Sequence, residues 1–184
     1  PISSIVDITN YIMIDIGRPL HAYDIDKIKG TILKISKSKK GDKFIALNGN
    51  TYELDDNMLV ISDAESVDDL AGIMGGERTG VTENTTRMFL EAAIFDPVSI
   101  ANTGRKLNLN SDARYRFERG LDYNSPETVM HYAAALFNKI CGGKFSKIVN
   151  FKLEQKDKII KFDPNIIYQL TGVKIENKVS KSIL

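Results

Sequence analysis

Cysteine is nearly absent from this sequence. Cys141 stands alone, which excludes an internal disulfide and any multi-cysteine zinc site. Its place near the end of an apolar helical face predicts a buried structural thiol rather than a nucleophile. Histidine is almost as scarce, with only His21 and His131. No apolar run approaches the ~20 residues of a membrane span. No basic start followed by an apolar leader is present, so the expected location is cytoplasmic, with no membrane partner. Neither sign of charge dominates: 25 Lys and Arg against 24 Asp and Glu give a net charge of +1, which supplies no global attraction to nucleic acid. Gly-x-Ser-x-Gly, His-Glu-x-x-His and the phosphate-loop Gly-Lys-Ser/Thr are all missing. There is no internal repeat and no low-complexity segment.

What remains is an ordinary globular composition, 42% hydrophobic and 27% charged over 184 residues. That is enough chain for one domain with a sizeable core, or one and a fraction. The entry at Pro1-Ile2-Ser3-Ser4 has no lead-in, and Lys178–Leu184 reads as a tail, so an excised piece of a longer chain is expected. Ile2–Ile8 reads as a strand, and Thr9–Ile16 as a short helix ending at Gly17. Arg18-Pro19-Leu20-His21-Ala22-Tyr23-Asp24 reads as a loop stiffened by proline. Thr31–Ser36 and Leu59–Ser62 read as strands, and Asn48-Gly49 as a hairpin turn. Asp96-Pro97 and Ser125-Pro126-Glu127 read as helix starts, the second with Ser125 as its cap. Val129, Ala133, Leu136, Phe137 and Ile140 form the apolar stripe of that helix, which Gly142-Gly143 ends. Lys158–Phe162 reads as a strand, and Asp163–Gly172 as a second capped helix. Strands with interspersed helices, lacking βαβ regularity, predict an α+β fold: mainly antiparallel sheets in a β-sandwich-like core with flanking helices. The expected domains are 1–155 and 156–184, with a boundary near Gln155.

One carboxylate interrupts an otherwise apolar run. Met88–Phe95 reads as a buried strand with Glu91 inside it, and a buried ionised carboxylate is costly without a partner. The partner is either a ligand, or backbone amides and a nearby arginine. His21, on the stiff loop, either works near neutral pH or pins the loop; His131 reads as structural. Gly72, Gly75 and Gly76 either wall a small pocket or form a tight turn. Seven lysines from Lys27 to Lys43 face one acid, Asp42. They either meet phosphates or form a solvated hairpin face that protects an edge. Arg114, Arg116 and Arg119, mixed with acids, favour an internal ion-pair network over a phosphate site.

Five segments recur together and in order: Asp7–Tyr11, Pro19–Asp24, Ala71–Gly76, Leu90–Phe95, and Ser111–Ala113 through Arg116–Gly120. Over roughly residues 1–150 this set closely resembles the editing domain of the bacterial phenylalanyl-tRNA synthetase β subunit. Residues from about 156 onward resemble the start of the next β-subunit domain. The resemblance implies a module that hydrolyses mischarged tyrosyl-tRNA(Phe) with water, while the parent enzyme uses ATP and Mg2+ to attach phenylalanine to tRNA(Phe). It implies tRNA(Phe) and the α subunit of an α2β2 heterotetramer as partners, and no cofactor or metal within residues 1–184. It also implies residue roles. Glu91 accepts a hydrogen bond from the tyrosine phenol, helped by backbone at Gly75. His21 lies near the ester and terminal ribose, with Thr9 and Asn10 lining the site, and Pro19, Ser111 and Ala113 shaping the pocket. The family usually carries threonine at Ser111, so the pocket is expected to be slightly looser there. Arg18 stands where glutamine is often found, and altered contact with the tRNA end is expected. The alternative is a non-catalytic tRNA- or subunit-binding module of the same synthetase.

Overall fold

The computed structural model describes residues 2–151 and 159–184. It divides into one unit over Pro1–Val149 and another over Asn150–Leu184; the boundary expected near Gln155 lies outside the described residues.

The chain opens as a helix where a strand was expected. α1 spans Ser4–Ile16 and absorbs most of the Ile2–Ile8 segment. Ser3 caps it by accepting a hydrogen bond from the Val6 amide, and Gly17 closes it at φ +71°, a conformation that favours glycine. Ile5, Ile8 and Ile12 recur at helical spacing, and this longer pattern overrides the brief strand-like start.

Eight strands follow among the described residues: β1 (His21–Asp24), β2 (Lys34–Lys37), β3 (Lys43–Ile45), β4 (Thr51–Glu53), β5 (Leu59–Ser62), β6 (Val67–Leu70), β7 (Met74–Gly75) and β8 (Met88–Glu91). β1 pairs with β8, β3 with β4 across the Asn-Gly turn, and β2, β5, β6 and β7 form a four-stranded sheet in that order. Every pairing is antiparallel, and the class is α+β. β8 is shorter and less buried than the Met88–Phe95 strand expected. Its ladder partner ends at His21, and two residues earlier Pro19 has no N–H with which to extend the pairing.

Helices α2 (Pro97–Lys106) and α3 (Asp112–Phe117) supply Ile100 and Phe117 to the main core, beside Tyr23, Phe44, Leu70 and Phe95. Helix α4 (Ser125–Cys141) packs on α1 through a smaller core of Ile8, Ile12, Val129, Ala133 and Phe137. The last turn of α4 lies outside that core, so Ile140 and Cys141 are exposed. Cys141 is therefore not the buried thiol expected. Ser125 is not the cap either. Asn124 precedes the helix, and the Ser125 hydroxyl bonds the Asp122 carbonyl and accepts from Arg18.

In the second unit, α5 (Asn165–Thr171) is closed by Gly172 at φ +71°, and α6 covers Asn177–Ile183. The strand expected over Lys158–Phe162 is not formed at 159–162, and Lys158 lies outside the described residues. Ile159 and Ile160 are exposed, and among the described residues no strand pairs with them.

Candidate functional site

β1 and β8 set His21 directly opposite Glu91 as Cα partners, so the two side chains leave the same face of the pair. β6 brings Asp69 beside them, and Asp69 is in turn the partner of Gly75 on β7. Gly75 has to be glycine, since a Cβ there would overlap the His21 imidazole. His21, Glu91 and Gly75, expected to work together, are thus brought together by three short strands. Gly72 and Gly76 serve packing instead. Gly72 sits at φ +69° against Phe95, Ile100 and Phe117, and Gly76 lies against the Asp68 carbonyl.

The partner of Glu91 is neither an arginine nor a backbone amide. It is Tyr23, whose Oη lies 3.0 Å from Glu91 Oε2. The same Oη lies 3.1 Å from Asp69 Oδ2. The His21 ring meets Tyr23 edge-on, with centroids 4.4 Å apart at 82°, a favourable aromatic geometry. His21 Nε2 is buried without a hydrogen-bond partner. It lies 3.6 Å from Asp69 Oδ2, too far for a good hydrogen bond.

Burial pulls His21 down to about 4, leaving a neutral imidazole at neutral pH; 23% of the side chain reaches solvent, but not through Nε2. Burial pushes Glu91 up to about 7, against the Tyr23 hydrogen bond that lowers it. Burial, and then the charge of Glu91, raise Asp69 well above the usual carboxylate range. Tyr23 is likewise raised, first by burial and then by the two carboxylates, and stays a phenol. The cluster can therefore read a hydroxyl, hold a proton near neutrality and orient water; it presents no strong nucleophile.

The other expected residues lie on α1, in the loop before β1, and on α3 or its cap. Thr9 is buried, with its hydroxyl donating to the Val6 carbonyl, while Asn10 is exposed on α1. Pro19 is buried in the loop before β1. Ser111 caps α3 and donates to the Ile73 carbonyl at 2.6 Å, tying α3 to the turn before Gly75. Ala113 packs against the main core. Two surface depressions, of ≈ 450 Å³ and ≈ 390 Å³, include neither His21 nor Glu91. Ser111 lines the first, and Ile8 and Tyr11 the second.

Arg18, for which altered contact with the tRNA end was expected, is turned inward. It is 2% exposed, and donates to the Ala93 carbonyl, the Asp122 carbonyl and the Ser125 hydroxyl at 2.5–3.0 Å. It fastens the loop before β1 to the chain beyond β8 and to the start of α4. Arg114 and Arg119 pair with Glu118, and Arg116 with Asp112, the internal network that their mixed charges favoured. Lys34 and Lys37 are exposed on the β2 edge, Lys39 and Lys40 in the turn after it, and Lys43 at the start of β3.

Asp69 and Tyr23 were not singled out by sequence reasoning. A signal existed in Val67-Asp68-Asp69-Leu70, where adjacent residues of a strand face opposite sides. Two neighbouring acids cannot both point to solvent from a covered strand. Asp68 turns to Arg78, which also holds Asp63, while Asp69 turns to Tyr23. Among the described residues no group of three or more His, Cys, Asp or Glu is arranged to hold a metal ion. No helix among them is long and apolar enough to cross a membrane.

The sequence matches the B3/4 domain over residues 1–142. It is 47% identical over 185 residues to the phenylalanine–tRNA ligase beta subunit of Bartonella henselae, covering 100% of this chain and 23% of that protein. The beta subunits of Bartonella quintana and Bradyrhizobium diazoefficiens are 46% and 42% identical, with the same coverage. The chain thus spans 23% of the length of these relatives.

Proposed function

The chain belongs to the B3/4 domain family, and on that premise we propose that it is the editing module of a phenylalanine–tRNA ligase beta subunit. In this reading it hydrolyses tyrosyl-tRNA(Phe), while the parent enzyme charges tRNA(Phe) with phenylalanine using ATP and Mg2+. Its partners are tRNA(Phe) and the α subunit of an α2β2 assembly, in the cytoplasm. The domain is taken as 1–155, with 156–184 opening the next one.

The observation that carries this reading is Glu91, a carboxylate at a strand end opposite His21, with one oxygen engaged by Tyr23. A pocket built for an apolar ring rejects an analogue bearing an extra hydroxyl by only about a hundredfold. A second site that demands the hydroxyl does better, because its buried acceptor goes unpaired when phenylalanine enters. Glu91 accepts the phenolic hydroxyl, with Gly75 backbone beside it. Neutral His21 orients the water or the terminal ribose. Thr9 and Asn10 line the approach, and Pro19, Ser111 and Ala113 shape the walls. Positioning and polarisation of water supply the rate. The test is deacylation of tyrosyl- and phenylalanyl-tRNA(Phe) by the complete ligase. The reading expects selective tyrosyl release that Glu91→Ala removes; equal release from both esters in the wild type contradicts it.

A second reading, a non-catalytic tRNA-binding module, is supported by the exposed lysines of the β2 edge. It expects strongly salt-dependent tRNA affinity without esterase activity in the complete ligase.

A further inference from the structure

Tyr23 has one phenolic proton and two carboxyl groups within hydrogen-bond distance, Glu91 Oε2 at 3.0 Å and Asp69 Oδ2 at 3.1 Å. An ionised carboxylate only accepts. Were both ionised, one of these two contacts would set oxygen against oxygen with no proton between them. Three oxygens in a row therefore need two protons, and one carboxyl group carries the second.

Asp69 is the better holder. It is 4% exposed and faces Tyr23, Glu91 and His21, with Asp68 beside it on β6. Asp68 spends its charge on Arg78, which it shares with Asp63, so among the described residues no cation pairs with Asp69 to balance it as an anion. Neutral His21, at 3.6 Å, supplies none. Glu91 is only partly buried at the end of β8, so it ionises first.

We propose that Asp69 and Tyr23 are positioning residues that set the specificity of this site. Neutral Asp69 donates to the Tyr23 oxygen, Tyr23 donates to Glu91 Oε2, and Glu91 is held in one orientation with its other oxygen left for a ligand's phenolic hydroxyl. This rests on the hydroxyl-reading role proposed above. The edge-on contact with His21 fixes the Tyr23 ring, so the relay and the catalytic side of the site share one support.

The experiment follows the side-chain carboxyl NMR signals of Asp69 and Glu91 in the full chain against pH, together with titrations of L-tyrosine and L-phenylalanine. In the wild type, Glu91 titrates while Asp69 keeps its proton. Tyr23→Phe removes one hydroxyl, moves the Glu91 midpoint upward, and cuts the tyrosine preference by about 3–10-fold, the worth of one hydrogen bond. Asp69→Leu lowers the preference similarly, and Asp69→Asn, whose amide still donates, restores most of it. Ionisation of Asp69 before Glu91 overturns the relay. So does a Tyr23→Phe chain with midpoint and preference unchanged, or an Asp69→Asn chain no better than Asp69→Leu. A wild type with no tyrosine preference overturns the hydroxyl-reading role and the specificity claim together. A preference lost in Glu91→Ala but untouched by Tyr23→Phe overturns the relay alone.

Discussion

His21 and Glu91 are Cα partners across the β1–β8 pair, so their spacing is set by a strand ladder rather than by a loop. The expected acid of the site and its expected histidine share one rigid face. Tyr23, two residues along β1, closes the triangle by bonding Glu91 while packing its ring against His21.

Gly75 tests how closely that face is packed. Gly75→Ala places a methyl against the His21 imidazole. Displacing the ring should destabilise the chain by about 1–3 kcal/mol, as overpacking does, and slow deacylation. His21→Ala leaves room instead, and should slow hydrolysis while largely keeping tyrosine affinity. Thermal unfolding and deacylation rates check both. Normal turnover with lost binding in His21→Ala would reverse the proposed role of the imidazole.

The acid–base character of the cluster gives stability a pH signature. Glu91 is raised from 4.5 to about 7, so the folded chain keeps a proton the unfolded chain has lost. Its contribution is full below 4.5 and is lost as pH rises through 7. His21 is lowered from 6.5 to about 4, so its contribution is present above 6.5 and is lost as pH falls through 4. Between 4.5 and 6.5 the two slopes oppose. Relative to wild type, Glu91→Gln should therefore gain stability as pH rises from 4.5 to 7, and His21→Gln should lose it as pH rises from 4 to 6.5. Denaturant midpoints across that range check the signs. Parallel curves for wild type and both variants would show that neither group titrates as described.

Arg18 is a structural fastener. Arg18→Ala leaves two carbonyls and a hydroxyl without their donor, and should cost about 2–4 kcal/mol of stability. The salt dependence of tRNA affinity in the complete ligase should not change. A reduced salt slope with unchanged stability would return Arg18 to the tRNA surface.

The lysine edge behaves oppositely. Replacing Lys34, Lys37 and Lys40 together by Gln should leave stability within about 0.5 kcal/mol, as exposed substitutions usually do. If these lysines meet phosphates, the log–log salt slope of tRNA binding falls by up to about 3. An unchanged slope identifies them as edge protection only.

Much of this architecture was legible because it rests on local chemistry. The Asn48-Gly49 hairpin, the Leu59–Ser62 strand and the Pro97 helix start are written in residues that force turns and caps. Glu91 stood out because an acid in an apolar run demands a partner. The identity of that partner was not legible, since Tyr23 is 68 residues away in sequence and meets it only through the β1–β8 pairing, and Asp69, 22 residues away, joins them from another sheet. The opening helix was misread because Ile2–Ile8 is too short to separate the two periods, and the decisive residues, Ser3, Ile12 and Gly17, lie at or beyond its edges. Cys141 was misplaced because periodicity names the apolar side of α4 but not where α1 stops covering it. The inward turn of Arg18 was not legible, because its acceptors, on Ala93 and Asp122, are brought next to it only by the fold.

The central claim is that Glu91 reads a phenolic hydroxyl. The most direct measurement is calorimetric titration of this chain with L-tyrosine and L-phenylalanine, in wild type and Glu91→Ala. Tyrosine should bind more strongly than phenylalanine in the wild type, with the difference lost in the variant. Equal binding of the two amino acids by the wild type, or a tyrosine preference that survives in Glu91→Ala, would contradict it.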